Sequence, residues 1–163
     1  MRASSSSRPS LSGLAVEAVA VPGKLPIHLE ASLAPDPEDN VGLRIRETRT
    51  GRCLAYLPAV GAVSGAVRAG LEGADCAFFD GTFWSEEELP GQGLGTKPAA
   101  AMAHLPIGGA GGSLAALAGL GGRRRIFIHL NNTNPVLRED SAERAAVTAA
   151  GWEVAADGLE VTL

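Results

Sequence analysis

The chain has 163 residues, a length that suits one domain. Apolar residues make up 45% and charged residues 20%, an ordinary globular balance that excludes global disorder, and no apolar run approaches the ~18 residues of a spanning helix, so membrane insertion is not expected. The formal net charge of −4 supplies no basic field for a nucleic-acid backbone, so nucleic acid is not an expected partner.

Residues 1–13 open as MRASSSSRPS, a Ser-rich lead without the apolar stretch of a secretory signal, and are expected to be disordered. Val-rich alternation over 14–21 predicts a strand, ended by Pro22-Gly23. A short extended piece at 27–30 and a polar loop over 34–40 follow. Residues 41–46 and 53–57 read as a strand pair joined by a turn at Thr50-Gly51. The four-residue spacing of Val67 and Leu71 predicts a helix over 64–72, and 76–79 reads as a buried strand. Ser85 with its following acids signals a helix start that Pro90 should stop. A Gly-rich turn at 108–112 leads into a short apolar helix over 113–120, capped by Ser113. Residues 125–130 (RIFIHL) form a central-strand pattern, and 139–150 a helix capped by Asp140 or Ser141. Residues 152–156 and 158–163 read as a terminal hairpin around Asp157-Gly158. The alternation of strands and helices predicts an α/β fold with a mixed sheet. Its strand over 125–130 should be flanked on both sides, because Ile126, Phe127 and Ile128 are apolar on both faces.

The cysteines, Cys53 and Cys76, have neither metal spacing nor the number for a disulfide framework. Apolar neighbours make them buried thiols, which suits a reducing, cytoplasmic compartment.

Chemistry in such sheets gathers just past the carboxyl ends of strands. Asp80 follows the strand 76–79, His129 closes the strand 125–130, and His104 precedes the Gly-rich turn. One carboxylate and two imidazoles suit iron, zinc or manganese. Each residue also has an ordinary role open to it. Asp80 can serve the Asp-Gly turn, His129 can be a satisfied buried histidine, and His104 can cap a helix or lie on its face. Asn131 to Pro135 (NNTNP) makes a tight turn by side-chain-to-backbone bonds, and should lock the His129 ring from behind.

FFDGTFW (78–84), LGTK (94–97), GGSLAALAGLG (111–121), IFIHLNNTNP (126–135) and AAGWEVAADGLEVTL (149–163) resemble the pyrroloquinoline quinone (PQQ) biosynthesis protein B family, PqqB. The resemblance implies a metallo-β-lactamase-like αβ/βα sandwich, with residues 14–163 as about the C-terminal half of that domain. It implies that His129 is the fold's last metal-binding histidine, that Asp80 is a second metal ligand, and that His104 serves catalysis beside the metal. His28 lies outside the family pattern and reads as a surface residue. The Asp-His pair that the family carries in its N-terminal half is absent from these 163 residues.

By the same resemblance, the function is PQQ biosynthesis, as an iron-dependent hydroxylase of the tyrosine ring in a Glu–Tyr cross-linked precursor. Iron(II) is the implied cofactor, with zinc the other metal to consider, and the partner is a precursor derived from a Glu/Tyr-containing peptide. Two alternatives stand beside this reading. One is carriage of PQQ or its precursor towards the periplasm. The other is a non-catalytic remnant, holding no metal because one matched aspartate and one matched histidine fall short of a stable ligand set. Half a sandwich should expose an apolar sheet face, so self-association through that face is expected.

Overall fold

A computed structural model describes residues 13–25 and 39–163. His28, the extended piece at 27–30, most of the loop 34–40 and the lead 1–12 lie outside the described residues. One six-stranded sheet organises the rest, with strands β1 to β6 side by side in chain order. Strands β1 (Leu14–Ala20), β2 (Val41–Glu47) and β3 (Cys53–Leu57) are antiparallel neighbours. Strands β4 (Cys76–Asp80), β5 (Arg124–Ile128) and β6 (Glu153–Val154) continue the sheet in parallel. The expected mixed sheet is present, and β5 lies between β4 and β6.

Period-two alternation gives the sheet two different faces. Ala55, Leu57, Ala77, Phe79 and Phe127 point to one side. There they pack with Val67 and Leu71 of helix α1 (Gly65–Leu71), Leu117 just after α3 (Ser113–Ala116), and Val147 of α4 (Ala142–Ala149). Trp152 closes this core, stacked on Phe127 at 4.3 Å between ring centroids and edge-on to Phe79. Burying each such large side chain contributes roughly 1.5–3 kcal/mol before entropy is counted.

The opposite face carries Val16, Leu43, Ile45, Leu54, Tyr56, Phe78 and Ile128 in adjacent register positions. These are only partly covered, and Tyr56 keeps 39% of its surface exposed. The apolar face expected of half a sandwich is therefore visible among the described residues.

Three local expectations are corrected. The terminal hairpin does not form. Strand β6 joins β5 in parallel through Ile126 and Phe127, and the tail beyond it takes no strand partner. Instead Leu159 shares a cavity with Tyr56, Phe78 and Ile128, and Leu163 one with Leu14, Ile45 and Leu54. The turn at Asp157-Gly158 does form, with Leu159 N donating to Ala156 O at 3.1 Å, but Leu159 and Leu163 stay 40% and 41% exposed and no second strand follows it. Helix α2 (Glu88–Gly91) starts later than Ser85 and runs through Pro90. Pro90 sits in the first turn, where a missing N–H costs no helical bond. Helix α3 is capped by Gly112 and leaves Ser113 buried inside its first turn, with no partner for its hydroxyl among the described residues. Ser141 caps α4 as expected, its Oγ accepting from Arg144 N at 3.0 Å, and Ser64 caps α1, its Oγ accepting from Val67 N at 3.2 Å.

Candidate metal centre

Strand β4 ends in Asp80, whose side chain is fully buried. Its turn requires Gly81, because a Cβ there would meet Leu130 Cδ2 and Phe127 Cβ at 2.9 Å. Gly81 N donates to Ile128 O at 2.9 Å, which pins the end of β4 beside the end of β5. One residue further, the chain turns at His129 with φ of 56°. That left-handed conformation costs a non-glycine residue on the order of 1 kcal/mol or more, so the surroundings must hold it. His104 arrives from the other side, after a short 3-10 turn (Ala100–Met102) and Ala103, which also has positive φ. Leu105 N bonds to Val60 O at 2.7 Å, tying this segment to the loop that follows β3.

The three predicted residues converge. Asp80, His104 and His129 each offer a ligand atom, and these atoms lie within 4.8 Å of one another. Asp80 Oδ2 accepts from His104 Nδ1 at 2.7 Å and from Val60 N at 2.8 Å. Asp80 Oδ1 accepts from Thr82 N at 3.0 Å and from Thr82 Oγ1 at 2.6 Å. Thr82 Oγ1 in turn lies 2.8 Å from His129 Nδ1 and 3.1 Å from His104 Nδ1.

A carboxylate only accepts, which orders the whole network. The Thr82 proton goes to Asp80, so the Thr82 oxygen accepts from the histidines. Each ring thus turns its Nδ1 edge toward the Asp80–Thr82 pair. Exposure rises from 0% at the Asp80 side chain to 15% at His104 and 54% at His129, so the cluster opens to solvent on the His129 side. Phe83 stands edge-on to His104 at 5.9 Å and forms an apolar wall. Two imidazoles and one carboxylate, within reach of one ion and open on one side, fit a divalent iron or zinc.

Sequence reasoning missed Thr82 and Glu88. Thr82 carries a readable signal, since Asp followed two residues later by a hydroxyl residue is an Asx-turn pattern. Glu88 gives none, because an acid in a helix's first turn reads as a dipole partner. It is nevertheless buried, at 5% exposure. Its Oε2 accepts from Trp84 N and its Oε1 from Thr133 Oγ1, each at 2.6 Å.

The chain belongs to the β-lactamase superfamily: the family model described as "Beta-lactamase superfamily domain" matches residues 1–130. Within it, the chain is similar to coenzyme PQQ synthesis protein B. It is 45% identical over 155 residues to that protein of Cupriavidus necator, covering 95% of this chain and 51% of the relative. Against the protein of Azotobacter vinelandii it is 48% identical over 129 residues, covering 79% of this chain and 42% of the relative. The crystal structure of Zn(2+)-bound PqqB from Methylobacterium extorquens superposes with a TM-score of 0.90 at 41% identity. That match covers 98% of this chain and 54% of the other. The chain spans about half the length of the curated relatives it matches.

Proposed function

We propose that the chain serves PQQ biosynthesis as about the C-terminal half of a metal-dependent, metallo-β-lactamase-like domain, and that residues 14–163 form this half. The observation that carries the reading is the convergence of Asp80, His104 and His129 at adjacent strand ends, in a chain that matches a zinc-bound PqqB structure over nearly all its length. Asp80 and His129 are assigned as metal ligands. His104, which sequence reasoning placed beside the metal as a catalytic group, stands in the same cluster and is assigned as a third donor. When bound, iron(II) would supply the redox chemistry of an oxygen-dependent hydroxylation and zinc would supply Lewis acidity.

The chain's own residues do the positioning. Asp80 and Thr82 orient both imidazoles through their Nδ1 edges. Phe83 shields one flank, and the exposed side of His129 leaves room for a substrate. The substrate class is the tyrosine ring of a Glu–Tyr cross-linked peptide precursor, in the cytoplasm. Among the described residues no helix is long and apolar enough to cross a membrane. The open sheet face takes the rest of the fold, in keeping with the half-length match, and self-associates when that face is left uncovered.

The test is an oxygen-dependent hydroxylation assay with iron(II) and a Glu–Tyr cross-linked peptide. The 163-residue chain alone is expected to give no turnover, because these residues contain no Asp-His pair. Adding the N-terminal half of a PqqB relative as a separate polypeptide is expected to restore turnover that His129→Ala abolishes. Binding of PQQ or its precursor with no turnover under either condition would instead support carriage.

A further inference from the structure

We propose that Glu88 is a positioning residue that sets the geometry of His129, an inference that rests on the metal-centre reading above. Four facts carry it. First, His129 is one of two non-glycine residues with positive φ among those described, and Ile128 in front of it is already held by the Gly81 N–H. With the strand end held, the backbone conformation of His129 is set by the turn behind it, while its ring reaches Thr82 Oγ1 at 2.8 Å. Second, that turn is bonded to the β4 end at several points. Asn131 N donates to Thr82 O at 3.0 Å, and Asn134 Nδ2 donates to Gly81 O at 2.8 Å and Thr82 O at 3.3 Å.

Third, the turn's middle is held by Glu88 alone among the described acidic side chains. Asn131 Nδ2 donates to Thr133 Oγ1, and Thr133 Oγ1 donates to Glu88 Oε1. The second carboxylate oxygen takes Trp84 N, on the segment that follows Thr82. One buried carboxylate thus joins the two loops that present the site: one continues from Asp80, the other from His129. Fourth, Glu88 has no Lys or Arg partner among the described residues. A carboxylate buried without a cation is maintained by the two hydrogen bonds it accepts. Its arrangement is therefore tied to these two loops and to nothing else.

The clamp acts more on His129 than on His104: both rings reach Thr82 Oγ1, but His104 is also bonded to the Asp80 carboxylate at 2.7 Å, while His129 leads straight into the clamped turn. That selectivity separates positioning from general stability. The experiment records histidine ring 1H–13C spectra of the metal-free chain, and Zn2+ affinity by calorimetry, for Glu88→Ala, Thr133→Val and Thr133→Ser. Thr133 is half-exposed, so Thr133→Val removes one hydroxyl without emptying the core and remains informative if Glu88→Ala fails to fold.

The expected result is that Thr133→Val and Glu88→Ala shift or broaden the His129 ring signals more than those of His104. Zn2+ affinity falls too, by less than the ~10–100-fold that losing a group bonded directly to a metal ligand brings. Thr133→Ser restores both readouts. Unchanged His129 signals in Thr133→Val, or equal movement of His104 and His129, would overturn the clamp. If the unsubstituted chain takes up no Zn2+, the metal reading fails, and the ring spectra still decide the clamp by themselves.

Discussion

Asp80 shows how one side chain organises a site. It is completely buried, yet all four of its contacts are donors: two backbone N–H groups, one hydroxyl and one imidazole. Asp80→Asn keeps the shape and turns one acceptor into a donor facing other donors. We expect a stability loss on the order of 1–3 kcal/mol, the cost of leaving a buried hydrogen-bonding group unmatched, read from urea unfolding. A variant as stable as the original would show that this network contributes nothing. At this scale the sequence was legible where a residue's position in a strand announced it. Asp80 and His129 both stand at the ends of apolar runs. His104 was legible only as an isolated histidine in an apolar stretch, and its approach to Asp80 depends on contacts 24 residues apart in sequence. Thr82 was readable from its place two residues after Asp80, whereas Glu88 acts through a contact 45 residues away that local pattern does not encode.

At the scale of elements, caps and charged pairs fix where strands begin. Asp75, just before β4, accepts from Cys53 N at 2.9 Å and from Arg52 at 2.7 Å, which joins β4 to the start of β3. The Cys53 N–H, and then the Arg52 guanidinium, hold the Asp75 carboxyl below its ordinary value. The folded chain therefore binds this proton less readily than the unfolded chain. The stabilisation is complete above the ordinary carboxylate value and is lost as pH falls through the lower, folded one. The thermal midpoint of the original chain is expected to fall more steeply than that of Asp75→Asn as pH drops from neutral into that range. Parallel curves would contradict the linkage. Ser64→Ala should cost about 1 kcal/mol by removing the α1 cap.

Most element types were readable from periodicity and turn residues. The terminal hairpin was not: the turn at Asp157-Gly158 forms, but the residues beyond it take no strand partner, because a turn signal alone does not specify what pairs across it. Helix α2 was placed too early, because a proline was read as a stop when it stood in a first turn.

At the scale of the molecule, the sheet is finished on one side only. Helices cover Phe79 and Phe127, while Tyr56, Phe78 and Ile45 on the opposite side have the tail's leucines and little else among the described residues. Apolar patches of this kind draw partners. Sedimentation velocity is expected to show concentration-dependent self-association, reduced by Leu43→Glu with Ile45→Glu. A clean monomer at high concentration would argue that the face is satisfied within the chain. The fold class and the mixed sheet were legible from the alternation of strands and helices. The half-open face followed only from the resemblance, because a strand's pattern tells which residues turn inward and leaves open what lies over them.

The central claim is that Asp80, His104 and His129 form one metal centre. Calorimetric titration of the metal-free chain with Zn2+ tests it most directly, comparing the original chain with His104→Ala and His129→Ala. The account predicts one Zn2+ per chain, with affinity falling at least about 10-fold in each variant. No uptake by the original chain, or uptake that neither substitution weakens, would contradict it.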